Sequence, residues 1–244
     1  MIALVGLVPG PAVADGWRPK RGAAIDYLRT RSGNVSFAVL APRGKLHGYR
    51  ERTSVPLASV VKAMLMATYL RMGSVRDRDL RDSDRAMLAP MIKRSDNDAA
   101  TRIANIVKEW RIERLARDAN MSSFNWTRPW GASTSNAVEQ ARFLFRIERF
   151  IPKRHEGYAR YLLSHIVESQ KWGIASLDKP RWRFFFKGGW GSGSGAVCHQ
   201  VGFFEREDGQ RIAIAIMITG SPSHSYATRT MRGIARRLLE EMPK

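Results

Sequence analysis

The spacing of apolar residues changes period twice along the chain. Residues 21–31 place Ala24, Ile25, Tyr27 and Leu28 at helical spacing among basic residues, and 34–41 are rich enough in β-branched and aromatic residues to predict a strand. A second strand is predicted over 45–55, after the turn Pro42-Arg43-Gly44. From Ser59 to about Met72 the residues are apolar nearly all round, the pattern of a helix buried on every side. Helical spacing continues over 83–93, 96–110, 112–119, 136–151 and 155–166. At Trp182 the pattern turns strand-like, in the runs RWRFFFK, AVCHQVGFFE and RIAIAIMITG, and 227–241 closes the chain as an amphipathic helix.

Two early strands, three late ones and a helical middle predict an α/β (α+β) architecture. One antiparallel five-stranded sheet is formed by both chain ends, the terminal helices pack on it, and an all-helical lobe is inserted between. The expected boundaries are a single domain over 15–244, with 15–58 and 174–244 in the α/β lobe and 59–173 in the helical lobe.

Composition narrows the function. Forty-one lysines and arginines against 22 acidic residues give a net charge of +19, which favours polyanionic surroundings. The basic residues are scattered rather than gathered into an arm, so nucleic acid is not the expected partner; an anionic cell-wall polymer is. The first 14 residues, MIALVGLVPGPAVA, carry no charge and end in Ala12-Val13-Ala14, a small-x-small pattern that predicts a signal peptide and export. No stretch reaches the roughly 18 apolar residues of a membrane span. The lone Cys198 permits neither an internal disulfide nor a Cys-based zinc site, and the five histidines lack metal-ligand spacing, so no metal or cofactor is expected. The Gly-rich Gly191-Ser192-Gly193-Ser194-Gly195 precedes a strand and so fits neither a phosphate loop nor a nucleophile elbow.

The candidate chemistry begins with Ser59-Val60-Val61-Lys62. Three residues apart at a helix start, the hydroxyl and the amine share one face, and an amine in such apolar company should lose proton affinity and serve as a base. Taken alone, the pair equally fits a capping serine and a snorkelling lysine, and Ser176-Leu177-Asp178-Lys179 is a second copy that runs into Pro180 and cannot open a helix. Ser95-Asp96-Asn97 lies between two helices, where all three types also cap, and Lys187-Gly188-Gly189-Trp190 ends a strand at what could be a plain hairpin turn.

In this chain order, S-x-x-K, S-D-N and a strand-borne K-x-G resemble the signature set of the class A β-lactamase and penicillin-binding-protein superfamily. The resemblance implies a β-lactamase/transpeptidase-like fold and a monomeric enzyme that takes a small-molecule or peptidoglycan-like acyl substrate. It implies that Ser59 is the acylated nucleophile, Lys62 its base and Ser95 the proton relay, with Asn97 a substrate and lysine ligand. Lys187 would hold a substrate carboxylate, Gly188 and Gly189 would line the site, and the backbone N–H groups of Ser59 and Trp190 would form the oxyanion hole.

Two departures qualify it. Gly188 stands where the family carries a threonine or serine hydroxyl, with Ser192 or Ser194 the only nearby replacements. The segment MSSFNWTRPWGASTS, 121–135, has no acidic residue where class A enzymes carry the glutamate that activates the deacylating water, and Glu139 beyond it is expected on a solvated helix face. The expectation is therefore a serine acyl-hydrolase with weak or no β-lactam turnover, set against a D,D-peptidase or esterase and a non-catalytic wall-binding module.

Overall fold

The computed structural model describes residues 17–191 and 196–243, so the leader and both candidate serines, Ser192 and Ser194, lie outside the described residues. Helix α1 (Arg21–Leu28) leads into β1 (Asn34–Leu40) and β2 (Leu46–Tyr49). A two-residue β3 (Val55–Pro56) precedes α2 (Lys62–Leu70), α3 (Asp82–Lys93), α4 (Asn97–Val107) and α5 (Glu109–Asp118). After β4 (Thr134–Ser135) come α6 (Ala137–Phe145), α7 (Lys153–Ser164), β5 (Arg183–Gly191), β6 (Val197–Glu205), β7 (Arg211–Thr219) and α8 (His224–Leu238).

The main sheet has the order β2-β1-β7-β6-β5, antiparallel throughout, so strands from both chain ends meet at the β1–β7 pairing. One face is sealed by α1 and α8 through Ala24, Ile214, Ile216, Met231 and Ile234. The other carries the larger core, in which α6 lies across β1, β6 and β7 and joins them to the helices around α2. All nine residues of α2 are buried, as its apolar pattern requires.

The second predicted strand, 45–55, is corrected. The chain leaves the sheet after Tyr49 at Arg50, whose φ of 47° turns it away, and Val55–Pro56 pairs instead with Thr134–Ser135 in a separate two-stranded sheet. The break predicted between helices 96–110 and 112–119 falls earlier, at Lys108, whose φ of 62° ends α4 before Glu109 opens α5. That small second sheet matters for function, since it ties the 121–135 segment to the residues entering Ser59.

Candidate active site

Ser59 stands in the 3-10 turn Ala58–Val61 that opens α2, preceded by Ala58 in a left-handed conformation, φ 46°. Such backbone strain costs about 1–3 kcal/mol and persists where the surroundings over-determine it. Here Leu57 N–H donates to Ser133 O at 2.8 Å and the edge strand β5 presses on the turn. A Cβ on Gly189 would lie 2.9 Å from Leu57 O and Val60 N and 3.0 Å from Ser59 N, so only glycine lets the strand approach this closely. Trp190, the next residue, is 36% exposed at the rim.

One turn on, Lys62 is fully buried. Its Nζ donates to Ser95 O at 2.6 Å and Asn97 Oδ1 at 2.8 Å and lies 3.3 Å from Ser95 Oγ. Among the described residues no hydrogen bond joins Lys62 to Ser59; the spacing puts them on one face, but the amine is held by the Ser95–Asn97 loop. Every partner is neutral, so burial prevails over the distant pull of Asp96 and lowers the amine to about 7. A neutral amine has two N–H bonds and a lone pair. Donation to the carbonyl and the amide oxygen uses both, which leaves the lone pair for a hydroxyl proton.

The loop is built for this role. Ser95 is left-handed at φ 58°, which turns its carbonyl and hydroxyl together toward Lys62. Asp96 caps α4, accepting from Ala99 N–H at 2.7 Å, and so sets Asn97 at the first helical position. On the far side of the Ser95 hydroxyl, Lys187 Nζ donates to Oγ at 3.0 Å and to Gly188 O at 2.7 Å. Ser95 Oγ thus bridges two amines. Lys187 is wholly buried, and desolvation, then the neighbouring Lys62 charge, hold its amine well below the usual lysine range. The Lys187 amine thus faces the Ser95 hydroxyl from the strand end.

Over Lys62 lies the ring of Trp130, from the acid-free segment 121–135, 4.7 Å from Nζ, with its indole N–H donated to Thr101 Oγ1 at 3.1 Å. Glu139 is corrected as well. It is 6% exposed rather than solvated, and its carboxylate accepts from Ser123 N–H and Ser135 Oγ, both at 2.7 Å, clamping the two ends of the segment that carries Trp130. Its N-x-x-E spacing from Asn136, which caps α6 by accepting from Glu139 N–H at 2.9 Å, was the available signal.

The remaining candidates take no part in the hydrogen bonds among Lys62, Ser95, Asn97 and Lys187. Lys179 of the second S-x-x-K donates to Leu239 O at 2.7 Å. Cys198 is buried and its thiol is pushed up to about 12 by desolvation. His199 donates from Nε2 to Pro56 O at 2.9 Å and accepts Ile218 N–H at Nδ1, and burial lowers it to about 4. It is a neutral fastener between sheet and β3. Among the described residues no group of His, Cys, Asp and Glu is arranged to hold a metal ion.

Comparison with known proteins agrees with this geometry. A search of curated proteins gave no match. Among solved structures, a β-lactamase from Sphaerobacter thermophilus superposes with a TM-score of 0.78 at 18% identity, covering 90% of this chain and 95% of that one. A class A β-lactamase from Bacteroides cellulosilyticus gives 0.78 at 15%, covering 91% and 98%, and an ancestral class A β-lactamase gives 0.77 at 17%, covering 91% and 99%. The fold is therefore that of these enzymes. The sequence model of the beta-lactamase enzyme family matches residues 79–242, which include Ser95, Asn97 and the Lys187–Trp190 strand end. With about two thirds of its length in that match and its five-stranded sheet shared with class A neighbours, the chain belongs to the beta-lactamase enzyme family, as a serine hydrolase of the class A type.

Proposed function

We propose that the chain is an acyl-hydrolase working through a Ser59 acyl-enzyme, in which acylation is well served and deacylation of bulky acyl groups is not. The observation that carries this reading is the Lys62 amine, buried, lowered to about 7 and bonded only to neutral groups. As substrate docks, Ser59 Oγ attacks the carbonyl carbon and its proton passes to the Lys62 lone pair. The carbonyl π pair moves to oxygen, held by the Ser59 and Trp190 N–H groups. Ser95 then gives its hydroxyl proton to the departing atom and takes one from Lys62 across the 3.3 Å contact. The tetrahedral oxyanion collapses, the leaving group departs protonated, and the Ser59 ester remains.

Hydrolysis of that ester needs a base aimed at water. In class A enzymes a carboxylate supplies it; the residues over Lys62 here supply an indole. General-base catalysis is worth about 10²–10⁴ in rate. A penicillin should therefore accumulate as a covalent adduct, whereas small activated esters, whose acyl groups leave room for water near Lys62, should turn over. Action outside the cytoplasm belongs to the same reading. Intact-protein mass after exposure to a penicillin, with peptide mapping to Ser59, tests it: a persistent adduct is expected, and nitrocefin turnover above roughly 10 s⁻¹, an ordinary enzyme rate, refutes it. A wall-binding module without catalysis would give no adduct with penicillin or with a fluorophosphonate.

A further inference from the structure

The Lys187 amine joins the Ser95 hydroxyl to Gly188 O, which brings the Gly188 backbone near the site. A Cβ on Gly188 would stand 3.3 Å from Trp172 Cζ2 and 3.5 Å from Cη2, so an indole borders the position directly. Trp172 is half-buried and does not stand alone. Trp190 and His224, the exposed first residue of α8, both stand perpendicular to it, with ring centroids 5.8 and 5.2 Å away.

The wall is held in place from behind. Gly173, left-handed at φ 59°, turns the chain directly after Trp172, and a Cβ there would strike Met231 Sδ at 2.5 Å. The buried Gln200 of β6 accepts from Ile174 N–H at 2.8 Å and Ala175 N–H at 3.2 Å, which anchors the segment to the sheet. Four separate stretches of chain, around 172, 188, 200 and 224, thus converge to fix one indole against the strand end.

Charge at this wall is the second consideration. The Lys187 amine is fully buried and spends its hydrogen bonds on Ser95 Oγ and Gly188 O. The wall's own members, two indoles and an imidazole, offer no fixed positive charge. These rings supply no charge partner, so an anion brought against them loses its water without a partner in return. A planar neutral group gains contact on the same surface.

We infer that the wall formed by Trp172, Trp190 and His224 is the leaving-group subsite, and that it selects esters whose leaving group is neutral and aromatic over those whose leaving group carries a carboxylate. This rests on the Ser59 acyl-hydrolase reading, because Ser95, the proton donor to the leaving atom, is what places the departing group beside Gly188.

The test uses two esters with one acyl group, phenyl phenylacetate and 3-carboxyphenyl phenylacetate. Both form the same Ser59 ester, so any difference in kcat/KM arises in binding and acylation. The full chain should favour the neutral ester at least tenfold. Trp172→Ala should bring the ratio toward unity, and His224→Arg, at an exposed position that does not threaten folding, should move it tenfold or more toward the carboxylated ester. Fluorophosphonate labelling of Ser59 is followed in parallel. If Ser59 is labelled but the carboxylated ester is used as well or better, or if His224→Arg leaves the ratio unchanged, the subsite inference is wrong and the acyl-hydrolase reading stands. If Ser59 is not labelled and neither ester is consumed, both are wrong.

Discussion

Acylation of Ser59 should be switched on by a single deprotonation near pH 7, and that deprotonation should vanish with the Lys62 amine. Lowering the amine from 10.5 to about 7 corresponds, at ~1.4 kcal/mol per unit, to about 5 kcal/mol by which the interior disfavours the ammonium. The cause is visible in its partners: a carbonyl, an amide oxygen and a hydroxyl, with no carboxylate among them. The reactive form is the neutral one, so the sign follows directly. Near pH 5 roughly one molecule in a hundred holds the free base, near pH 7 about half, and above pH 8 nearly all, from the ionisation equilibrium alone.

Second-order labelling by a neutral fluorophosphonate, read by intact mass, should therefore rise about tenfold from pH 5 to 6 and level off above 8. Lys62→Ala should cut the plateau by about 10²–10⁴, the span for losing a general base, and flatten the profile. Lys179→Ala, whose amine serves Leu239 O on the far side of the fold, should leave both unchanged. A profile flat between pH 5 and 9, or a Lys62→Ala rate within threefold of the parent, would refute the assignment of Lys62 as the base.

Three further outcomes follow from the packing around this pair. Glu139→Ala should lower stability by about 2–4 kcal/mol, since it strands Ser123 N–H and the buried Ser135 hydroxyl, and it should also slow labelling by releasing Trp130; urea melts that match the parent would refute the clamp. Gly189→Ala drives a methyl into backbone atoms at 2.9 Å, so about 1–3 kcal/mol of overpacking and a loss of Ser59 labelling are expected together, and an unaffected labelling rate would count against the strand–turn contact. Trp130→Glu sets a carboxylate near Lys62, which should raise the labelling midpoint by about 1–3 pH units and shorten the life of a penicilloyl adduct; an unmoved midpoint would show that the loop does not carry its side chain over the amine.

Much of this was legible before any coordinates. The period-2 runs marked β5, β6 and β7, and the charge-free stretch around Lys62 marked α2 as buried. The misreadings have local causes. Arg50 and Lys108 take left-handed conformations without being glycine or asparagine, so the end of β2 carries no sequence mark and the break between α4 and α5 is read too late in the chain. Glu139 looked solvated because its partners lie in the loop before its own helix, where periodicity is silent. Trp172 and His224 were missed for a different reason. Their relation to Gly188 spans separate elements, and a glycine in a motif says only that a side chain is absent, not what borders the position.

The two departures from the family pattern are physically linked through charge. A carboxylate within about 4–6 Å of an amine raises its pKa by about 1–3 units, so one in place of Trp130 would push Lys62 back toward the protonated form at neutral pH. An indole at 4.7 Å exerts a far weaker pull, and with every hydrogen-bonding partner neutral the amine stays near 7. On the proposed reading, the residue that stands in place of a hydrolytic base is thus the one that leaves Lys62 free to act as the acylating base. At Gly188 a similar relation holds: the position carries no polar side chain, and an indole, Trp172, borders it. Both positions lack a group that would bind or balance charge, and both present flat apolar surface. On the proposed reading, a site so altered opens an ester with a neutral leaving group through Ser59, Lys62 and Ser95, while a penicillin that does acylate Ser59 is held as the adduct.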